Sequence, residues 1–494
     1  MKPDPGVGSE YLRASAAPGA RFLWGWGLGF AALALALLYP VLDGAFFADD
    51  WELYLARPAS HIARAFLEVR PYETYRPLQL LLVATSQALV GYTTLPVHLL
   101  NLALHAGLAL LVLRSLLSLG APRLGAVLGG LYVSVSQLAA SAVGGNDTIS
   151  LTLSTLAGSS ALLLLRPFAP QRAARPGLAA LAFAVALFSK ESSLGYLPLL
   201  ALLAWRHGSG RAGGARKAAL WSACFAAVAL MYLALRACAG GAVPDLATGQ
   251  QARLGANIPM NAALLGFAAL VPLSTTRIFV GLSEHRWLWP LAGVLSWLAL
   301  VAFLTRGMAR AERPWLVAGF ALASAVLLTP VLVLTHVSEL YAYGVLPFTA
   351  LLFGWSAGSL VSRSSGALER IGAMTFATLV LSANAWAARQ DALGMARSGA
   401  LAGALMPQVL EHVRTLPPGG VAVLVDPPPR IPNYSVYQSS GFRGVLLSPR
   451  QILEMTGRAD VQMLGVAAGE PLPKPCVGCV FLTLEPGNRV LPMP

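Results

Sequence analysis

Apolar runs of roughly 17 to 22 residues recur along the first 390 positions, each about long enough to cross the hydrocarbon core of a bilayer as a helix. Eleven such segments fall near 21–41, 97–118, 124–142, 148–165, 176–189, 192–206, 218–238, 287–305, 315–334, 342–361 and 372–388. The fifth and sixth are short for full spans. Two further apolar stretches interrupt the alternation. Leu78 to Val90 follows Pro77, a good first helical residue, and is short enough to lie along the interface. Ala262 to Leu273 is read as re-entrant or interfacial, because counting it as a span would put Arg306, Arg310 and Arg313 on the outside. After 389 the chain turns soluble in composition. Gly420 to Val425 and Val480 to Leu484 read as strands and Ser448 to Met455 as a short helix. The expected fold is mostly α: a polytopic bundle of about eleven transmembrane helices with a small α/β domain at the C-terminus. The organisation is an N-terminal tail at 1–20, a membrane domain at 21–388 with external loops near 42–96 and 239–286, and the α/β domain at 389–494.

Composition agrees. The chain is 56% hydrophobic and 12% charged, with a mean hydropathy of +0.64, where a soluble protein would carry about 25% charged residues. The net charge of +13 follows from topology. With the N-terminus inside, the cytoplasmic segments hold 17 of the 35 basic residues and four acids, an excess equal to the whole net charge. No surplus remains for a nucleic-acid surface. The first apolar segment is too long for the core of a signal peptide and reads as a retained span. The Ala, Leu, Gly and Arg bias suggests a GC-rich bacterial genome, and the span count with the charge rule leads to the expectation of an inner-membrane protein with its C-terminus periplasmic. Cys224 and Cys238 are expected to pack in or beside the seventh span. Cys476 and Cys479 form a lone C-x-x-C, read either as a local disulfide or as two thiols.

The ionisable residues gather at one end of the predicted bundle. Asp49 and Asp50 follow the first span. Asp147 lies between the third and fourth spans, Lys190 and Glu191 between the fifth and sixth, and Glu339, Tyr341 and Tyr343 between the ninth and tenth. Tyr72, Tyr75 and Arg76 lie in the first long loop, and His285 and Arg286 in the second. Carboxylates kept so close to lipid are functional candidates. Structural readings stand beside that one. Asp147 could be a helix N-cap, Lys190–Glu191 an interfacial ion pair, the tyrosines a membrane-interface belt, and Arg286 part of a solvated loop. His98, Asn101 and His105 share one face of the second span, a spacing suited to interhelical hydrogen bonds. A transporter would place its ionisable groups near the midplane on broken helices, and this chain has few there.

Five motifs in order resemble one family. Phe46-Phe47-Ala48-Asp49-Asp50 is similar to the acidic pair opening the first external loop of the GT-C glycosyltransferases. Tyr75-Arg76-Pro77-Leu78, the His98…Asn101…His105 run, Phe188-Ser189-Lys190-Glu191 and Glu339-Leu340-Tyr341-Ala342-Tyr343 resemble signatures of its protein O-mannosyltransferase relatives. The likeness covers about residues 20 to 350. Two family arginines are missing, one replaced by Leu340 and one from the turn at Gly145-Asn146-Asp147, and no tetratricopeptide repeats follow. The resemblance implies an enzyme that moves a sugar from a polyprenyl-phosphate donor to a protein, lipid or glycan acceptor on the external face. It implies Asp49 as general base, with Asp50 and Asp147 orienting it or holding Mg²⁺ or Mn²⁺. Arg76, Lys190 or Arg286 would bind the lipid phosphate, and Tyr75, Glu191, Glu339 and Tyr341 would complete the substrate site. The alternative is a lipid-linked glycan flippase or transporter.

Overall fold

The computed structural model of the protein describes residues 19–42, 44–46, 50, 62, 64–67, 69, 74–91, 93–165, 174–208, 214–240, 252–335, 337–426, 442, 446, 449–466, 469–474, 478–485 and 488–493. Asp49, Tyr72 and Cys476 lie outside the described residues.

Every one of the eleven predicted apolar segments is helical. In chain order the helices are α1 (Ala20–Leu38), α2 (Pro77–Val90), α3 (Leu95–Leu119), α4 (Arg123–Ser134), α5 (Leu138–Gly144), α6 (Ile149–Leu164) and α7 (Pro176–Ser189). Then come α8 (Tyr196–Gly208), α9 (Gly214–Cys238), α10 (Asn257–Leu270), α11 (Thr275–Ser283), α12 (Leu288–Ala309), α13 (Pro314–Leu332), α14 (Leu346–Arg363) and α15 (Ala367–Thr415). Short 3-10 turns extend α1 at Tyr39–Val41 and precede α8 at Glu191–Gly195 and α14 at Glu339–Val345. Among the described residues, seven of these stretches are long and apolar enough to span a membrane, or eight if α4 and α5 are one broken span. Proline in the first turn starts α2, α3, α7, α13 and α14, where its missing N–H costs nothing. The 14-residue helices α2, α7 and α10 are short for a span; the sequence suggests this for all three but counts α7 as a span.

The helices form an alternating bundle around α3 and α14. α4 crosses α14 closely through two G-x-x-x-G pairs, Gly125/Gly129 and Gly354/Gly358. A Cβ on Gly125 would stand 2.9 Å from Gly358 Cα, and one on Gly354 would stand 2.9 Å from Gly129 Cα. Small residues are what allow backbones to meet inside a membrane. Between α4 and α5 the chain bends by 54°. The freed backbone there is buried in protein, as it must be at membrane depth. Asn384 Oδ1 accepts from the Gln137 N–H at 3.3 Å, and Gln137 Nε2 donates to Val271 O at the end of α10 at 2.9 Å. Cys224 and Cys238, expected in the core, are instead exposed. α9 buries only the stripe Gly214, Ala218, Phe225, Ala229 and Tyr232, and both cysteines fall on its outward face.

The predicted start of the C-terminal domain at 389 falls inside a helix. α15 runs unbroken for 49 residues. Its buried positions continue past that point as Ala388, Asp391, Ala392, Met395, Ser398, Gly399, Ala402, Leu405 and Met406, a helical stripe. The change to polar sequence does not mark the end of the helix. The tail then forms β1 (Val421–Val425), α16 (Pro449–Thr456), β2 (Gln462–Val466), β3 (Cys479–Glu485) and β4 (Arg489–Pro492). Strand order is β2-β1-β3-β4, with β1 parallel to β2 and β3, and β4 antiparallel to β3. Arg458 holds the sheet to α15 by donating to Arg414 O at 2.7 Å and Leu416 O at 2.9 Å, where the helix leaves carbonyls without partners. Cys479 is disulfide-bonded.

The two ends of the bundle differ chemically. One carries Arg306 and Arg310 paired with Glu369, Arg363 with Glu312, and Arg313 on Leu119 O. The other carries the carboxylates described below. The positive-inside rule leads us to expect the arginine end on the cytoplasmic side. Reporter fusions after residues 212 and 440 should therefore read out on opposite sides of the membrane, since α9, α12, α13, α14 and α15 separate them. Finding both fusions on one side would overturn this orientation.

Candidate active site

Asp50 lies against the turn that joins α5 to α6, and it is 2% exposed. Its Oδ1 accepts from the backbone N–H of Asn146 at 2.7 Å and of Asp147 at 2.9 Å, and its Oδ2 accepts from Asn146 Nδ2 at 3.1 Å. Burial, and after it the Asp147 charge, push the Asp50 carboxyl above the ordinary carboxylate range, against the pull of these three donors. A carboxylate offers about four acceptor positions. Three of them are taken, so Asp50 fits a role as anchor of the turn and does not fit that of metal ligand.

Asp147 follows in the same turn and is half-buried. Its backbone carbonyl accepts from Gln79 Nε2 in the first turn of α2 and from Ser150 Oγ at 3.1 Å. The helix-cap reading of Asp147 does not hold: Thr148 stands at the N-cap of α6, and no side chain caps that end. The Thr148 hydroxyl instead donates back to Gly145 O at 2.6 Å. The Asp147 carboxylate has no hydrogen-bond partner among the described residues, and its charge acts on Arg76.

Arg76 stands at the N-terminus of α2. It grips Glu191 with two parallel hydrogen bonds, Nε to Oε2 at 2.8 Å and Nη2 to Oε1 at 2.6 Å. Burial alone would lower the Arg76 pKa, but Glu191 outweighs it and raises the value further. Burial would likewise raise the Glu191 carboxyl, but Arg76, and then Lys190, hold it well below the usual carboxylate range. A depressed carboxyl loses its contribution only when pH falls through that lowered pKa, so the pair stays ionised at every physiological pH. Lys190 is 6% exposed, and its ammonium lies 5.7 Å from the centroid of the Tyr341 ring. Asp50, Asp147, Arg76, Glu191, Lys190 and Tyr341 therefore form one connected polar group at a single end of the bundle.

Three expected site residues have other roles. Tyr75 is fully buried among Phe188 and Tyr232, and its hydroxyl donates to Phe66 O at 2.9 Å, so it packs the core and does not face a substrate. Glu339 is a cap for α11: it accepts from Ser274 Oγ at 2.9 Å, Thr275 N at 2.8 Å and Thr275 Oγ1 at 2.9 Å, all at a helix N-terminus that favours negative charge. Arg286 is exposed and pairs with Glu284 at 3.1 Å, with no contact to the rest of the group.

The same-face residues of α3 make the interhelical bonds their spacing suggests. Asn101 donates to Gly145 O at 2.9 Å and accepts from Thr152 Oγ1 at 2.6 Å, and His105 Nδ1 bonds Tyr343 OH at 2.9 Å. Sequence reasoning did not bring Asn146 into the site, because only its backbone and side-chain contacts with Asp50 reveal it. Nor did it find the ion pair of Arg277 with Asp391 at 3.5 Å, which ties α11 to α15 beside Glu339. On the far side of the acidic segment, α15 offers a glycine bed. A Cβ on Gly399 would meet Ala45 N and O at 3.2 Å. A cavity of about 20 Å³ lined by Ser154, Thr155, Ser193, Tyr196 and Tyr341 has room for about one water, not a sugar. Among the described residues no three His, Cys, Asp or Glu side chains group as a metal cage.

No protein-family profile matches the chain, and no curated protein matches it. Solved structures do. The apo crystal structure of ArnT from Cupriavidus metallidurans aligns over 90% of this chain and 86% of its own, at 16% identity and a TM-score of 0.50. The structure of that protein bound to undecaprenyl phosphate aligns over the same shares, at 16% identity and 0.49. A cryo-EM structure of the arabinofuranosyltransferase AftD from Mycobacteria aligns over 88% of this chain and 33% of its own, at 16% identity and 0.48. Helix order, the terminal sheet and the alignment with ArnT together show a polytopic membrane protein whose fold is GT-C-like.

Proposed function

We propose that the protein is a glycosyltransferase that moves a sugar from a polyprenyl-phosphate donor to an acceptor hydroxyl at the external membrane face. The observation that carries this reading is the joining of carboxylates and cations at one end of the bundle: Asp50 and Asp147 on the 145–148 turn, beside Arg76, Glu191 and Lys190. The GT-C fold and the sequence motifs support it. The reaction forms a bond from the acceptor oxygen to the anomeric carbon as the bond from that carbon to the phosphate oxygen breaks. A carboxylate takes the acceptor proton, and the lipid phosphate leaves with the bonding electrons. Asp49, next in sequence to the anchored Asp50, is the proposed base, and Asp147 is proposed to orient it. Arg76 and Lys190 are the proposed stabilisers of the departing phosphate, and Tyr341 the floor beside Lys190. Arg286 has no part in this proposal. A bound Mg²⁺ or Mn²⁺ would draw on Asp49 and Asp147 and would stabilise charge on the phosphate.

The setting is proposed as the inner membrane of a bacterium, with the C-terminal sheet in the periplasm. Purified protein in liposomes should consume polyprenyl-phosphate sugar and release polyprenyl phosphate only when acceptor is present. Movement of the intact lipid-linked sugar between leaflets, with no bond broken, would replace this reading by that of a flippase. A chelator arm in the same assay reports whether a divalent cation takes part.

A further inference from the structure

His98 lies in the first turn of α3 and is 1% exposed. It touches both segments that carry the acids. Its Nδ1 stands 3.4 Å from Leu42 O, where the chain leaves α1, and its Nε2 stands 3.1 Å from Asn146 Nδ2. The same Asn146 nitrogen lies 3.1 Å from Asp50 Oδ2. One arrangement of hydrogens satisfies every contact. Nδ1 of a neutral imidazole donates to the Leu42 carbonyl, Nε2 accepts one N–H of the Asn146 amide, and the second N–H of that amide goes to Asp50. Turning the amide over would aim its oxygen at the Asp50 carboxylate, acceptor against acceptor, and would leave Nε2 without a donor. His98 therefore selects the amide orientation that holds Asp50. The same face of α3 adds two further ties: Thr94 Oγ1 donates to Gly44 O at 2.7 Å, and Asn101 to Gly145 O at 2.9 Å.

We infer that His98 is a positioning residue for sugar transfer, which orients Asn146 and through it locks Asp50 and the 145–148 turn to the end of α1. The inference rests on the glycosyltransferase reading for its activity test and on geometry alone for its structural test. His98→Leu keeps an apolar, buried side chain and removes the acceptor. His98→Gln keeps an acceptor and a donor spaced much as in the ring. In the Leu variant kcat should fall about 10- to 100-fold, as expected for misplacement of a reacting group, with the KM for the lipid donor within about twofold of wild type. The Gln variant should recover to within about threefold of wild type.

Hydrogen exchange read on full-length protein supplies the second measurement. The Asn146 and Asp147 amides donate to Asp50, so they should exchange faster in the Leu variant while those of α3 and α6 stay protected. Unchanged kcat and unchanged exchange in the Leu variant would overturn the inference. So would equal losses in the Leu and Gln variants accompanied by general deprotection, which would make His98 a packing residue. An inactive wild type would sink the glycosyltransferase reading alone, because the exchange comparison would still report the lock.

Discussion

An Asp49→Asn variant should lose transfer by about 10²-fold or more while inserting and accumulating as wild type, if Asp49 is the general base. The exchange keeps shape and hydrogen-bonding capacity and removes charge and basicity. The neighbouring Asp50→Asn should behave differently. Asp50 is a buried acceptor for three N–H groups. An amide in its place would aim an NH₂ at some of those donors, at a cost of about 1–3 kcal/mol for buried groups left unsatisfied. Sequence alone suggests that Asp50→Asn is the gentler change. The geometry predicts that it lowers both protein abundance and transfer, whereas Asp49→Asn lowers transfer alone. Activity per molecule, measured after quantifying membrane-inserted protein, separates the two. Full activity in a well-expressed Asp49→Asn variant would remove the base assignment.

The second large effect is expected at Arg76. Its side chain is 12% exposed and that of Glu191 34% exposed, so the pair is enclosed on the arginine side and partly screened on the other. Arg76→Met leaves Glu191 without its fork of donors. Breaking a fully buried pair by removing one partner costs about 3–5 kcal/mol, and solvent at Glu191 should reduce that to about 1–3 kcal/mol. Unfolding in detergent reads the loss directly. Replacing both residues by Met should return most of the stability, because neither charge is then stranded. It should not return transfer if Arg76 also stabilises the departing phosphate. A double variant that regains both would make the pair a strut between α2 and the Glu191–Gly195 turn. The phosphate role would then pass to Lys190.

Much of this architecture was legible because helices that alternate across a membrane must return their turns to the same two surfaces. The placement of Asp147, Lys190, Glu191 and Glu339 at one end followed from counting spans. Which carboxylate is committed did not follow. Asp50 and Asp147 look alike in sequence, yet one is enclosed by donors and the other has none among the described residues. That distinction depends on a turn 96 residues downstream meeting the end of the first span. Glu339 sits in a motif shared with enzymes but here caps α11 through Ser274 and Thr275, a contact that no local pattern announces. The expected boundary at 389 lies inside α15, because polarity changes there while the helical stripe continues through Met395 and Met406. The crossing of Gly125 and Gly129 with Gly354 and Gly358 was present as spacing, but spacing does not name the partner.

The length of α15 has a mechanical consequence. From Ala367 to Pro407 it is a rod of about 60 Å at 1.5 Å per residue. A tilt of about 5° would carry its far end about 5 Å. Ala45 rests on that rod at Gly399, and the C-terminal sheet grips it just beyond, through Gln408 to Val490 and Arg458 to Arg414. A load placed on the sheet by whatever it holds reaches the seat of Ala45 along one helix, with no loop between them to absorb it. Pro407 is the one interior position of α15 that lacks a backbone donor. The compliance of the joint is therefore concentrated at a single residue, between the part of α15 that the sheet grips and the part on which Ala45 rests.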